Sequence, residues 1–116
     1  MVNANDHLSG VLIYAVEPGF LAVAKLDVLP GYQGLGAGKM LIDAVKAKAA
    51  DGGDTAVLAY ASNDDLPAIY FYQRNGFQIY EVKPNLVAER LGTLKVGFAG
   101  IPYRDEIRLR WEPGKP

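Results

Sequence analysis

The stretch LPGYQGLGAGKMLIDAV, residues 29–45, places Gly31, Gly34, Gly36 and Gly38 within eight residues and then turns helical. Glycine is used where a side chain would obstruct a turn or the close approach of a backbone to something else. A tight strand-to-helix turn needs one or two glycines, so a run of four asks for more than a turn. A helix start also offers unpaired N–H groups and the positive end of a dipole, which together make an anion site. Locally, the stretch asks for a phosphate. It sets a strand, a glycine loop and a helix in that order, and the rest of the chain must be built around that unit.

With 116 residues, 50% of them hydrophobic and 22% charged, the chain suits one globular domain spanning residues 1–116. A formal net charge of −1 argues against a nucleic-acid partner held by bulk charge. The absence of cysteine excludes disulfides, thiolate metal sites and a cysteine nucleophile together. His7, the single histidine, stands near a terminus and reads as a surface residue, so no metal is expected. No apolar run reaches membrane-spanning length, and MVNANDHLSG has neither the basic start nor the apolar stretch of a signal peptide. The expectation is a cytoplasmic protein with no membrane partner.

The segment GVLIYAVEPGFLAVAKLDVLPGY reads as two strands joined at the turn EPG, apolar enough to be covered on both faces. Pro30 and Gly31 stop the second strand. A helix then runs from Gly36 to Ala50, with Leu41, Ala44, Val45 and Lys48 on one face and Lys39, Asp43 and Lys46 on the other. TAVLAYA, residues 55–61, reads as a buried strand. In NDDLPAIYFYQRNG, Asp64 or Asp65 caps a second helix, Pro67 fits its first turn and Gly76 closes it. A strand FQIYEV follows, then an irregular stretch with a short helix, and a last strand EIRLRW. The order predicts an α/β fold with a mixed sheet.

Two nucleotide loops fit the glycines poorly. A Walker loop, GxxxxGK[ST], would need glycine where Gln33 stands and a hydroxyl where Met40 stands. A dinucleotide loop needs GxGxxG, whereas Gly34, Gly36 and Gly38 give GxGxG. QGLGAG, Gln33 to Gly38, instead resembles the Q/R-x-x-G-x-G/A pyrophosphate loop of the GCN5-related N-acetyltransferase (GNAT) superfamily. LDVLPGYQG before it resembles that family's central strand entering the loop. SNDDLPAIYFYQRNGF resembles its second block, an asparagine followed by a helix with A-x-x-F-Y and then G-F. The tail GIPYRDEIRL is similar to the ending of uncharacterised bacterial GNAT proteins, and the likeness spans residues 8 to 112.

This resemblance implies a mostly antiparallel central sheet with flanking helices, N-terminally abbreviated, and acetyl-coenzyme A as co-substrate. The amides of Gln33, Gly34, Gly36, Ala37, Gly38 and Lys39 would hold the pyrophosphate. The backbone of Leu26 and Val28 would pair with pantetheine where two central strands splay at a bulge. Asn63 would contact the coenzyme. Tyr72, four residues before Gly76 as in the family's Y-x-x-x-G-F, would act as general acid toward the departing thiolate. Phe77 would touch Tyr72 across the helix-closing turn. Asp27, Glu17 and Tyr60 are candidate bases, Asp27 first. Without cysteine, direct attack by the primary amine of a small molecule or peptide in a ternary complex is expected.

The same resemblance leaves one sheet face bare, which predicts a homodimer. The alternative to an enzyme is a catalytically silent acyl-coenzyme A binding module with a regulatory or assembly role. Binding without transfer would distinguish it. A purely structural domain with a vestigial loop would bind no coenzyme at all.

Overall fold

The computed structural model describes residues 2–4, 7–29 and 36–114, with side chains from Gly10 onward. Its elements are β1 (Val2–Ala4), β2 (His7–Glu17), β3 (Phe20–Val28), α1 (Ala37–Asp51), β4 (Ala56–Ser62), α2 (Leu66–Arg74), β5 (Gln78–Lys83), α3 (Leu86–Leu91), β6 (Lys95–Val96), β7 (Pro102–Tyr103) and β8 (Glu106–Trp111). The chain divides into two compact units, residues 1–58 with 112–115 and residues 59–111, so that β4 begins in the first and ends in the second.

In the first unit the strands lie side by side in the order β1-β2-β3-β4. β1–β2 and β2–β3 are antiparallel, and β3–β4 is parallel. Helix α1 packs on this sheet, burying Leu41, Ile42, Val45 and Ala49. They sit at three- and four-residue intervals, the spacing that puts apolar side chains on one helical face.

The register of β2 on β3 slips once, from Ile13↔Lys25 to Tyr14↔Val23, leaving Ala24 as an extra residue. A bulge changes which face the following side chains take. Leu21 and Val23 are buried before it and Leu26 and Val28 are half-buried after it, while Lys25 and Asp27 turn to water. The bulge thus keeps one apolar face continuous. The opposite face is open. Ile13 is 51% exposed, so the expectation that this hairpin is covered on both faces fails.

In the second unit the strand order is β4-β8-β5, with β5 and β8 antiparallel, and β6–β7 forms a small separate hairpin. Leu109 on β8 is fully buried and Phe77 is 2% exposed. Asp65, not Asp64, caps α2, its Oδ1 accepting from the Ala68 amide at 3.1 Å. The helix ends as the sequence predicted. Gly76 takes a left-handed φ of 89°, Phe77 N donates to Tyr72 O at 3.0 Å and Gly76 N to Gln73 O at 3.1 Å. These two bonds are those of a Schellman closure.

Candidate functional site

Gly36 is the N-cap residue of α1 at φ 84°, with no side-chain cap of its own, and no acidic residue stands in the first turn among the described residues. No atom of the described residues beyond its chain neighbours lies within 4 Å of the position a Cβ would take on Gly36. A left-handed cap with open space beside it suits close approach of an anion. Ala37 is buried. Lys39 directs its Nζ to Asp43, an exposed pair one helical turn on. Gln33 and Gly34 lie outside the described residues. Leu26 and Val28 follow the Ala24 bulge, and the rungs of the β3–β4 ladder run from Phe20–Ala56 to Ala22–Leu58.

Tyr72 is 6% exposed. Its ring meets Phe77 at a centroid distance of 5.3 Å and Phe71, edge to face, at 5.6 Å. The Phe77 contact is the one the helix-closing turn predicted. Burial, and secondarily the negative charge of Asp65, push the Tyr72 hydroxyl up to about 12. Of the candidate bases, Asp27 is paired with Lys25 at 3.2 Å, with both side chains about 60% exposed. Tyr60 lies under the Arg108 guanidinium, 5.7 Å from its ring centre.

Asn63 has a structural task. Its Oδ1 accepts from the amides of Arg104 and Asp105 at 3.0 and 2.8 Å, and its Nδ2 donates to Pro102 O at 2.9 Å. An amide oxygen has two lone pairs, so these bonds leave only one N–H for a ligand. The next residue acts on the same loop. Asp64 Oδ2 accepts from the Phe98 amide at 3.0 Å, while its Oδ1 is buried without a partner among the described residues. Burial pushes Asp64 up, but the Ser62 and Phe98 hydrogen bonds outweigh it and hold the carboxyl below its ordinary value. Arg104 O in turn accepts from the amides of Val87 and Ala88 in the first turn of α3. Residues 84–105, expected from the sequence as an irregular stretch with a short helix, which is α3, are therefore pinned from outside by Asn63 and Asp64 and from within by Arg104.

That pinning can be tested through Gly97. A Cβ there would stand 2.1 Å from Asp64 Oδ2, which the Phe98 bond holds in place. Gly97→Ala is expected to cost roughly 1–3 kcal/mol by overpacking, read as a lower urea midpoint. An unchanged midpoint would mean that the Asp64 latch carries no stability.

The GNAT acetyltransferase family model matches residues 1–77. The chain belongs to the GNAT acetyltransferase family. An uncharacterised protein of Bacillus subtilis (strain 168), YdhI, is 32% identical over 111 residues, 91% of this chain and 68% of that protein. A Bacillus subtilis acetyltransferase solved in complex with CoA is 25% identical, with a TM-score of 0.84 over 94% of this chain and 72% of its own. A GNAT acetyltransferase from Elizabethkingia anophelis with acetyl-CoA bound is 22% identical, with the same TM-score of 0.84 over 95% of this chain and 72% of its own. The GNAT fold, with its mixed sheet and flanking helices, is therefore the fold of this chain.

Proposed function

We propose that this GNAT chain is an N-acetyltransferase that moves the acetyl group of acetyl-CoA to a primary amine. The observation that carries the reading is the uncapped, acid-free start of α1 at left-handed Gly36, within a chain of this family. The amides of Gln33, Gly34, Gly36, Ala37, Gly38 and Lys39 hold the pyrophosphate, aided by the helix dipole. Leu26 and Val28 follow the bulge, past the last rung of the β3–β4 ladder, and offer backbone groups to pantetheine as a strand would. Asn63 adds its remaining N–H.

In the transfer step the amine nitrogen forms a bond to the thioester carbonyl carbon and the C–S bond breaks. The amine proton leaves to water, and the sulfur leaves with a proton from Tyr72, which solvent then restores. A phenol at about 12 gives its proton to a thiolate of ordinary affinity, near 8.5, only against about 5 kcal/mol. Tyr72 thus contributes mainly as a hydrogen-bond donor to sulfur as charge develops there, and the proton follows bond cleavage.

Calorimetric titration with acetyl-CoA tests the reading, and micromolar affinity is the expected result. No binding by the folded protein would overturn it. Binding with no acetyl transfer to any amine would favour the silent acyl-CoA module.

Cytoplasmic residence and a homodimer belong to the same proposal. The half-exposed Ile13, on the β2 face turned away from α1, supports a second copy covering that face. Ile13→Glu is expected to convert a dimer to a monomer in sedimentation velocity. A parent that sediments as a monomer would remove the dimer.

A further inference from the structure

A cavity of about 430 Å³ lies wholly within residues 59–111. Its floor is the end of β4, Tyr60 to Ser62, and its walls are Val87, Arg90 and Leu91 of α3 with Tyr103 and Glu106. Asp65 completes the lining from the cap of α2. This volume falls within the range of small-molecule sites. The wall exists because Asn63, Asp64 and Arg104 pin residues 84–105 in place.

Charge decides what such a cavity accepts. Two carboxylates, Asp65 and Glu106, and one guanidinium, Arg90, line it. Glu106 is already satisfied, with Oε1 accepting from Arg90 at 3.2 Å and Oε2 from Arg108 at 2.9 Å. Asp65 has no cation partner among the described residues, and one of its oxygens is taken by the Ala68 amide. The lining therefore carries one unbalanced negative charge, at Asp65. Around it stand the Tyr60 and Tyr103 rings, Ala61, Val87 and Leu91, surfaces suited to an apolar body.

We propose that this cavity binds a small primary amine with an apolar body, its ammonium paired with Asp65. The identification of this amine as the acetyl acceptor rests on the acetyltransferase reading; the binding itself does not. Residues 84–105 are thus the segment that selects the amine, and Asp65 is the residue that selects its charge.

The test titrates three ligands of like shape into the purified protein: phenethylamine, the neutral 2-phenylethanol and the anionic 3-phenylpropionate. The amine is expected to bind at least tenfold more tightly than the other two. Asp65→Asn keeps a good helix cap but loses the charge, and is expected to bring the amine down to the affinity of the alcohol. Val87→Trp, which fills the cavity, is expected to abolish binding of all three, with circular dichroism confirming the fold. Equal affinity for the three ligands, or an amine preference that survives Asp65→Asn, would overturn the proposal. Acetyl-CoA binding without any amine binding removes the cavity proposal alone. Amine binding without acetyl-CoA binding upholds the cavity and removes the acetyltransferase reading.

Discussion

Gly36→Glu is expected to weaken acetyl-CoA binding by roughly 100-fold or more, because it puts a carboxylate where the pyrophosphate is proposed to be held. The substitution carries a second effect that must be separated from the first. Gly36 sits at φ 84°, where an L-residue costs about 1–2 kcal/mol. Among the described residues beyond its chain neighbours no atom lies within 4 Å of its would-be Cβ, so there is strain without a clash there. Gly36→Ala has the same backbone cost and no charge, and is expected to keep affinity within about tenfold of the parent. Calorimetry on the three proteins reads the difference directly. If alanine and glutamate lose affinity equally, the loop matters through its conformation and the anion site is wrong. If glutamate binds as the parent does, the pyrophosphate lies elsewhere.

The parts of this site that the sequence made legible are those written by local backbone chemistry. Asp65, Gly76 and Phe77 set the two ends of α2 through bonds that span three to five residues. Such short-range signals survive without knowledge of the fold. The contact of Phe77 with Tyr72 follows from the same turn, so the one aromatic proposed to act on sulfur is positioned by a legible motif.

Two features were hidden for different physical reasons. The apolar run of the β2–β3 hairpin looks the same whether a face is covered by the chain itself or left for something else, which is how Ile13 came to be expected inside. Residues 84–105 lack periodicity because their shape comes from side chains some twenty to forty positions away in sequence. Asn63 reaches Pro102, Arg104 and Asp105, Asp64 reaches Phe98, and the Asn85 amide reaches Asp105. The sequence assigns Asn63 to the coenzyme through the resemblance and leaves Asp64 and Asp65 as alternative caps of α2. In the structure one pins the loop, one is buried beneath the hairpin, and one caps α2 and faces the cavity. Only the topology separates the three.

Tyr72→Phe is expected to lower kcat about 100-fold while leaving acetyl-CoA affinity within about twofold of the parent. Phenylalanine keeps the ring against Phe71 and Phe77 and removes only the hydroxyl, so a packing role alone predicts little change in kcat. A pH titration of stability supplies an independent readout. The unfolded chain releases the tyrosine proton near 10, whereas the folded protein holds it to about 12. Between those values the unfolded state binds fewer protons than the folded one, so stability falls as pH rises. The contribution is complete below pH 10 and gone above about 12, amounting to about 3 kcal/mol. Tyr72→Phe should lack this part of the alkaline loss, and subtracting its curve from the parent's removes the other tyrosines. Asp65→Asn should narrow the same window, because the Asp65 charge is the second cause of the raised value. A variant with undiminished kcat would make Tyr72 a core residue and leave the departing sulfur to solvent. A lowered kcat with a missing alkaline window would mean that the hydroxyl acts from water-exposed ground, and that desolvation does not set its proton affinity.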